Sequence, residues 1–318
     1  MPEALVVADH RIEPGDRLTF ELSFSSLPTG NALPLPVQVL HGTITGPTLW
    51  VNAAIHGDEI NGVEIIRQVL ARIRPGDLAG SIIAVPIVNV LGFVGESRYL
   101  PDRRDLNRAF PGSRTGSLAA RLANLFMDTI VARSTHGIDL HTGSDHRTNL
   151  PQVRANLSHQ ETYNFASAFG APLLIDSHTR DGSLREAAAR RGIPCLLYEA
   201  GEAQRFNNFA IEAGVNGILR VVQFLNMQRC DIPAAPPPLL VSETRWARAR
   251  RAGMARIFVS LGDRVRTNDI LGVINDALGR EQARIRASCR GVVIGLLRNP
   301  IVHRGDAVVH IGVPSTVG

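Results

Sequence analysis

The sequence predicts an α/β fold, with a mostly parallel or mixed sheet carrying helices on both faces, followed by a small all-β domain. Three observations carry that expectation. Short, continuous apolar runs alternate with amphipathic stretches from about residue 45 to 230. A proline-rich segment, "DIPAAPPPLL" (231–240), then interrupts the pattern. Beyond it lie only short apolar runs punctuated by glycine. Continuous apolar strands between helices imply a sheet buried on both faces. The expected domains are 1–230, with a β-rich, irregular start over 1–45, and 241–318. Residues 231–240 form an extended linker between them.

The elements follow in order. "TLWVNAAI" (48–55) reads as a buried strand. "EINGVEIIRQVLARI" (59–73) has apolar residues at helical spacing and stops at Pro75-Gly76. "SIIAVPIV" (81–88) is a second buried strand. "SLAARLANLFMDTIVAR" (117–133) is an amphipathic helix with Ser117 placed to cap it. "GIDLH" (137–141), "APLLID" (171–176) and "PCLLYEA" (194–200) are further strands, and "FNNFAIEAGVNGILRVVQFLNM" (206–227) is a long helix. Residues 241–318 offer no helix. "LGDRVRTNDILGVI" and "GVVIGLLRNPIVHRGDAVVHI" form two half-repeats around Gly-Asp turns, similar to the barrel-sandwich fold of biotinyl and lipoyl carriers.

Composition removes several function classes. The chain has 318 residues, 44% hydrophobic, with mean hydropathy near zero. No apolar run approaches the ~20 residues of a membrane span. "MPEALVVADHRIEPGD" lacks the basic start and apolar stretch of a secretory signal, so a cytoplasmic protein is expected. Cys195, Cys230 and Cys289 form no CxxC pair and no disulfide framework. The net charge is +5 and the pI 9.8. The densest basic cluster, "RWARARRAGMAR" (245–256), has no RNA-binding or helix-turn-helix pattern beside it. No nucleic acid and no membrane partner are expected. The chain contains no lysine, so its basic residues are all arginine. That excludes a P-loop, a pyridoxal Schiff base and a lysine-linked carrier domain. The C-terminal domain is therefore read as structural, a lid or an oligomer contact.

Four stretches could carry chemistry. In "AIHGDEING" (54–62) an apolar run stops on His56, and Glu59 follows three residues later. In open α/β sheets ligands bind beyond the carboxyl ends of strands. His56 and Glu59 can therefore face one point as zinc ligands, although Glu59 also suits a helix N-terminus. In "GIDLHTGS" (137–144) a second strand ends on His141, with Asp139 on the same side. Two histidines and one carboxylate with an open position are the stoichiometry of a catalytic zinc site. Asp139 supplies the acceptor that a ligating imidazole needs at its other nitrogen. "SRYLPDRRDLNRAFPG" (97–112) holds Arg98, Arg103, Arg104 and Arg108, and the pair Asn107-Arg108 suits a carboxylate held bidentately. In "PCLLYEAGEA" (194–203) Glu199 ends an apolar strand, with Glu202 as its competitor. A carboxylate there suits a general base beside metal-activated water.

Taken together, "HGDE", "DLNRAFPG", "DLHTG" and "YEAGE" resemble, in order and spacing, the motifs of the succinylglutamate desuccinylase/aspartoacylase family of zinc carboxypeptidase-like hydrolases. The resemblance covers roughly residues 40 to 230 and extends to the C-terminal β domain. The "SRYLPDRRDLNRAFPG" and "YEAGE" versions look closest to bacterial N-acyl amino acid deacylases, including N-acetyl-diaminobutyrate deacetylases. The resemblance implies one zinc ion per chain on His56, Glu59 and His141. It implies Glu199 as the catalytic glutamate, Asn107 and Arg108 as a substrate-carboxylate clamp, and Arg98 as the group polarising the scissile carbonyl. It further implies a small N-acyl amino acid as substrate and a homo-oligomer. The rival readings are a metallocarboxypeptidase acting on small peptides and a metal-binding protein without turnover. Among the other histidines, His146, His159 and His178 are candidates to line the substrate cavity. His10, His41, His136, His303 and His310 are read as structural or exposed.

Overall fold

The computed structural model describes residues 2–26 and 29–315. A small antiparallel hairpin, β1 (Leu5–Val7) and β2 (His10–Ile12), opens the chain. β3 (Arg17–Ser26), β4 (Ala32–His41) and β5 (Ile44–Ala53) follow. Then come α1 (Asn61–Arg72), β6 (Ala79–Val85), α2 (Val90–Val94), α3 (Leu118–Thr129) and β7 (His136–Gly143). β8 (Arg147–Ala155), α4 (Gln160–Phe169), β9 (Leu173–Asp176), α5 (Leu184–Arg190), β10 (Cys195–Glu202) and α6 (Asn208–Phe224) complete the alternating part. The rest is β: β11 (Leu239–Arg248), β12 (Gly253–Ile257), β13 (Arg264–Val265) and β14 (Ile270–Asn275). β15 (Glu281–Arg286), β16 (Gly291–Leu297), β17 (Ile301–Val302) and β18 (Ala307–Pro314) end it.

Twelve strands form one mixed sheet in the order β13-β16-β18-β11-β9-β8-β10-β7-β5-β6-β4-β3. Parallel pairing joins β6, β5, β7 and β10 at its centre. β8 runs antiparallel to β10. The expected strands and helices lie where the apolar patterns put them, with ends shifted by a few residues. β8, α4 and α5 were not anticipated, because their mixed polar sequences carry no clear period.

Helices cover both faces. Leu49, Val51, Ile138, Leu140, Leu196 and Tyr198 pack under α1, α4 and α6. Trp50, Ile83, Val85 and Cys195 pack with α3 and α5 on the opposite face. Strand alternation places Asp139 and His141, and Leu197 and Glu199, on the α3/α5 face. The segment beyond α6 does not stay apart from this sheet. β11 starts at Leu239, inside the proline-rich stretch, and pairs in parallel with β9. β16 pairs with β8 through Gly295↔Asn149, Leu296↔Thr148 and Leu297↔Arg147. A separate apolar cluster, including Leu271, Ile274, Val293 and Val308, fills the space inside the C-terminal strands.

Candidate active site

The site forms where β5, β7 and β10 reach their carboxyl ends. After β5 the chain turns sharply at Ala54, whose φ is +50°. A non-glycine residue there stores strain, and such strain gathers at functional sites. The turn delivers His56, and Glu59 sits just before α1. Gly57 packs on the backbone of α2, where a Cβ would lie 1.9 Å from the Gly92 carbonyl carbon.

His56, Glu59 and His141 are buried and converge. Glu59 Oε1 lies 2.8 Å from His56 Nδ1, and Glu59 Oε2 lies 2.8 Å from His141 Nδ1. The two Nδ1 atoms are 3.1 Å apart. The other nitrogen of each ring meets a carboxylate: His56 Nε2 meets Asp105 Oδ1 at 3.2 Å, and His141 Nε2 meets Asp139 Oδ2 at 2.8 Å. With the ring protons on Nε2, both Nδ1 lone pairs and the Glu59 oxygens face one point. Such a group of acceptors needs a cation, and two imidazoles plus a carboxylate are a fitting zinc donor set. The electrostatics show the same demand for positive charge. Burial opposes it, yet His56 and His141 hold the Glu59 carboxyl well below its ordinary range. Burial likewise opposes the rise of His141, but Asp139 and Glu59 carry its pKa well above the usual histidine value.

Behind His141 the polar chain continues. Asn52 Nδ2 donates to Asp139 Oδ1 at 2.7 Å, and Trp50 Nε1 donates to Asn52 Oδ1 at 2.8 Å. Asn52 and Asp139 are register partners across β5 and β7, and both are fully buried.

A cavity of about 260 Å³ opens over these residues. All seven residues that the family resemblance assigns to the site line it: His56, Glu59, Arg98, Asn107, Arg108, His141 and Glu199. Glu202 is not part of the lining. Glu199 Oε2 accepts from Asn149 Nδ2 at 2.8 Å, and Arg154 Nε lies 3.7 Å from the same oxygen. Arg98 is already engaged, with Nη1 3.2 Å from Glu59 Oε1 and Nη2 2.9 Å from Asp105 Oδ2. Asn107 Oδ1 accepts from the Leu184 amide at 2.9 Å, the first turn of α5. This leaves its NH₂ end for the cavity.

Other lining residues escaped the sequence reading. His310 and Trp246 reach the cavity from β18 and β11, whereas His146, His159 and His178 do not line it. Asp105 sits in the quoted "DLNR" stretch, and its aspartate in a helix-capping position was the available signal. It accepts the Asn107 amide at 2.8 Å while holding His56 and Arg98. Asn149 had no local signal, since a bulge in the β8–β10 pairing brings it to Glu199.

Residues 45–225 match the succinylglutamate desuccinylase/aspartoacylase catalytic domain. The chain belongs to this family. It is 25% identical to the N-alpha-acetyl-L-2,4-diaminobutyric acid deacetylase of Halomonas elongata, over 91% of this chain and 90% of that one. The crystal structure of a succinylglutamate desuccinylase/aspartoacylase from Rhodobacter sphaeroides superposes with a TM-score of 0.83 at 26% identity. That match covers 94% of this chain and 96% of the other. The product-bound ectoine utilization protein of Ruegeria pomeroyi shares the fold, with a TM-score of 0.85 at 22% identity over 95% and 97% of the two chains. No helix among the described residues is long and apolar enough to cross a membrane.

Proposed function

We propose that the protein is a zinc-dependent amidohydrolase that cleaves the amide of an N-acyl amino acid to a free amino acid and a carboxylic acid. One observation carries this reading. The His56–Glu59–His141 donor set, the Glu199 carboxylate and the Asn107–Arg108 pair share a single cavity. Family membership and a deacetylase relative support the reaction class.

Zinc held by His56, Glu59 and His141 would supply Lewis acidity, bringing the pKa of water toward ~7 and polarising the scissile carbonyl. The chain does the rest. Arg108 and the Asn107 amide take the substrate carboxylate and so place the scissile bond in reach. Glu199 Oε1 takes a proton from the attacking water as the new oxygen–carbon bond forms. The same oxygen returns a proton to the amide nitrogen as the carbon–nitrogen bond breaks. Asn149 on Oε2 fixes which oxygen moves protons. Arg98, held beside the site by Glu59 and Asp105, supports the negative charge developing on the carbonyl oxygen.

A metallocarboxypeptidase would share these groups. The small cavity, walled by Trp246 and His310, favours a compact substrate over an extended peptide. The direct test of the assignment is Glu199→Gln. It should keep its metal, measured by plasma mass spectrometry, and lose roughly 10²–10⁴-fold in kcat. Near-normal turnover in that variant contradicts the role.

A further inference from the structure

The basic cluster at residues 245–256 takes no part in the chemistry described so far. Charge is divided unevenly along the chain. Residues 1–240 hold 21 arginines against 23 aspartates and glutamates, whereas residues 241–318 hold 13 against six. The net positive charge therefore belongs to the C-terminal strands. Among the described residues there, only Arg245, Arg280 and Arg284 pair with a carboxylate. Like charges gathered without counter-charges repel one another, and a bound anion relieves that cost.

Three of the uncompensated arginines meet in one place. Arg248, Arg250 and Arg286 line a groove of about 320 Å³ together with Thr267, Asn268 and Ser288, and no carboxylate lines it. The neighbouring acids are committed to backbone amides. Asp269 Oδ2 accepts from the Arg266 amide at 2.7 Å, and Asp306 Oδ2 accepts from the His303 amide at 2.7 Å. Two of the guanidinium groups are braced: Arg248 Nη1 donates to the Gly305 carbonyl at 2.8 Å, and Arg286 Nη1 to the Asn268 carbonyl at 2.9 Å. Each keeps further N–H groups, and a planar fork of N–H donors matches phosphate oxygens. The Thr267 and Ser288 hydroxyls add neutral donors. A phosphate monoester carries a charge of about −1.5 to −2 at neutral pH, so two of them balance three arginines better than one does.

Trp246 lines this groove and the catalytic cavity alike. Its indole stacks on His310 with centroids 4.1 Å apart, and the Arg147 guanidinium carbon lies 5.3 Å from the ring centroid. His310 and Arg147 both line the cavity. An occupant of the groove therefore sits one side chain away from the catalytic chamber.

We propose that the Arg248–Arg250–Arg286 groove is an effector site for a small molecule carrying two phosphate groups, and that Trp246 passes its occupancy to the catalytic cavity. The site stands apart from the deacylase reading, and only the kinetic readout below rests on it.

The test titrates fructose 1,6-bisphosphate and adenosine 3′,5′-bisphosphate into the full, zinc-loaded chain by calorimetry, with inorganic phosphate beside them. At least one bisphosphate should bind roughly tenfold tighter than phosphate. A preference for the adenosine compound names a nucleotide as the source, and a preference for the sugar compound names a phosphorylated metabolite. Arg248→Gln with Arg286→Gln should lose about tenfold in that affinity. Arg256→Gln, outside the groove on the same domain, should lose nothing. Tryptophan fluorescence should change on binding and saturate at the same concentration. The other tryptophan, Trp50, is fully buried in the sheet, and Trp246→Phe should abolish the change. Saturating bisphosphate should also shift the KM for an N-acyl amino acid several-fold, and should not do so in the Arg248/Arg286 double variant, whose basal turnover stays unchanged. Bisphosphate binding no tighter than phosphate, an equal loss in Arg256→Gln, tighter binding of a short DNA duplex, or binding that leaves the Trp246 fluorescence unmoved overturns the proposal. Calorimetry and fluorescence need no turnover. A chain that binds bisphosphate in this way but hydrolyses no acyl amino acid removes the deacylase reading alone, and turnover without bisphosphate binding removes the effector site alone.

Discussion

Asp139 shows how one residue links the interior to the site. It is fully buried, accepts from Asn52 at 2.7 Å and faces His141 Nε2 at 2.8 Å. Its carboxylate therefore orients the imidazole and makes Nδ1 the better electron donor. Groups behind a ligating histidine typically set metal affinity by about 10–100-fold. Asp139→Asn should weaken zinc binding by that order in competition titrations with a chromophoric chelator, and unchanged affinity would show that the chain from Trp50 is only structural. His56 and His141, which would hold the zinc, and Asp139 were legible in the sequence for a local reason: two apolar runs stop on the histidines, and Asp139 lies one strand alternation before His141. His310 was not, because its position depends on β18 lying beside β11, and nothing near it in sequence announces that pairing. Asn149 was hidden for the same kind of reason, since the pairing bulge that carries it to Glu199 is not written in the local sequence.

At the level of elements, two glycines hold strands at close quarters. Gly137 pairs with Trp50 across β5 and β7, and a Cβ there would lie 2.0 Å from the indole. Trp50 is the far end of the polar chain to His141, so this packing supports the chain behind the His56–Glu59–His141 group. Gly137→Ala should cost about 1–3 kcal/mol of stability by overpacking, read by denaturant unfolding. Gly295 pairs with Asn149 where β16 meets β8, and a Cβ would lie 2.9 Å from Asn149 Oδ1 and 3.2 Å from His310 Cβ. Gly295→Ala should push Asn149 from Glu199 and lower kcat several-fold, with zinc content unchanged; an unaltered kcat would mean that the amide gives way without disturbing Glu199. The buried strands and the helices α1, α3 and α6 were legible because their apolar periods are strong. α5 was not, yet it matters, because its first amide fixes Asn107 and its Arg185 lines the cavity.

For the whole molecule, the sheet is continuous from the catalytic strands into the C-terminal ones through the β9–β11 and β8–β16 pairs. The change in composition after residue 230 marks where helices end, and not where the sheet ends. The C-terminal strands thereby hold Trp246 and His310 over the cavity, and a small, polar, arginine-rich chamber results. Its chemistry suits a compact anionic acyl amino acid. The measurement that tests this account most directly is release of free amine from a panel of acetyl-, succinyl- and longer N-acyl amino acids, with short peptides beside them, read by mass spectrometry. The zinc-loaded protein should release amine from an N-acyl amino acid, lose that activity on chelation and regain it with zinc. Release from peptides alone, or release that chelation leaves untouched, would contradict the account.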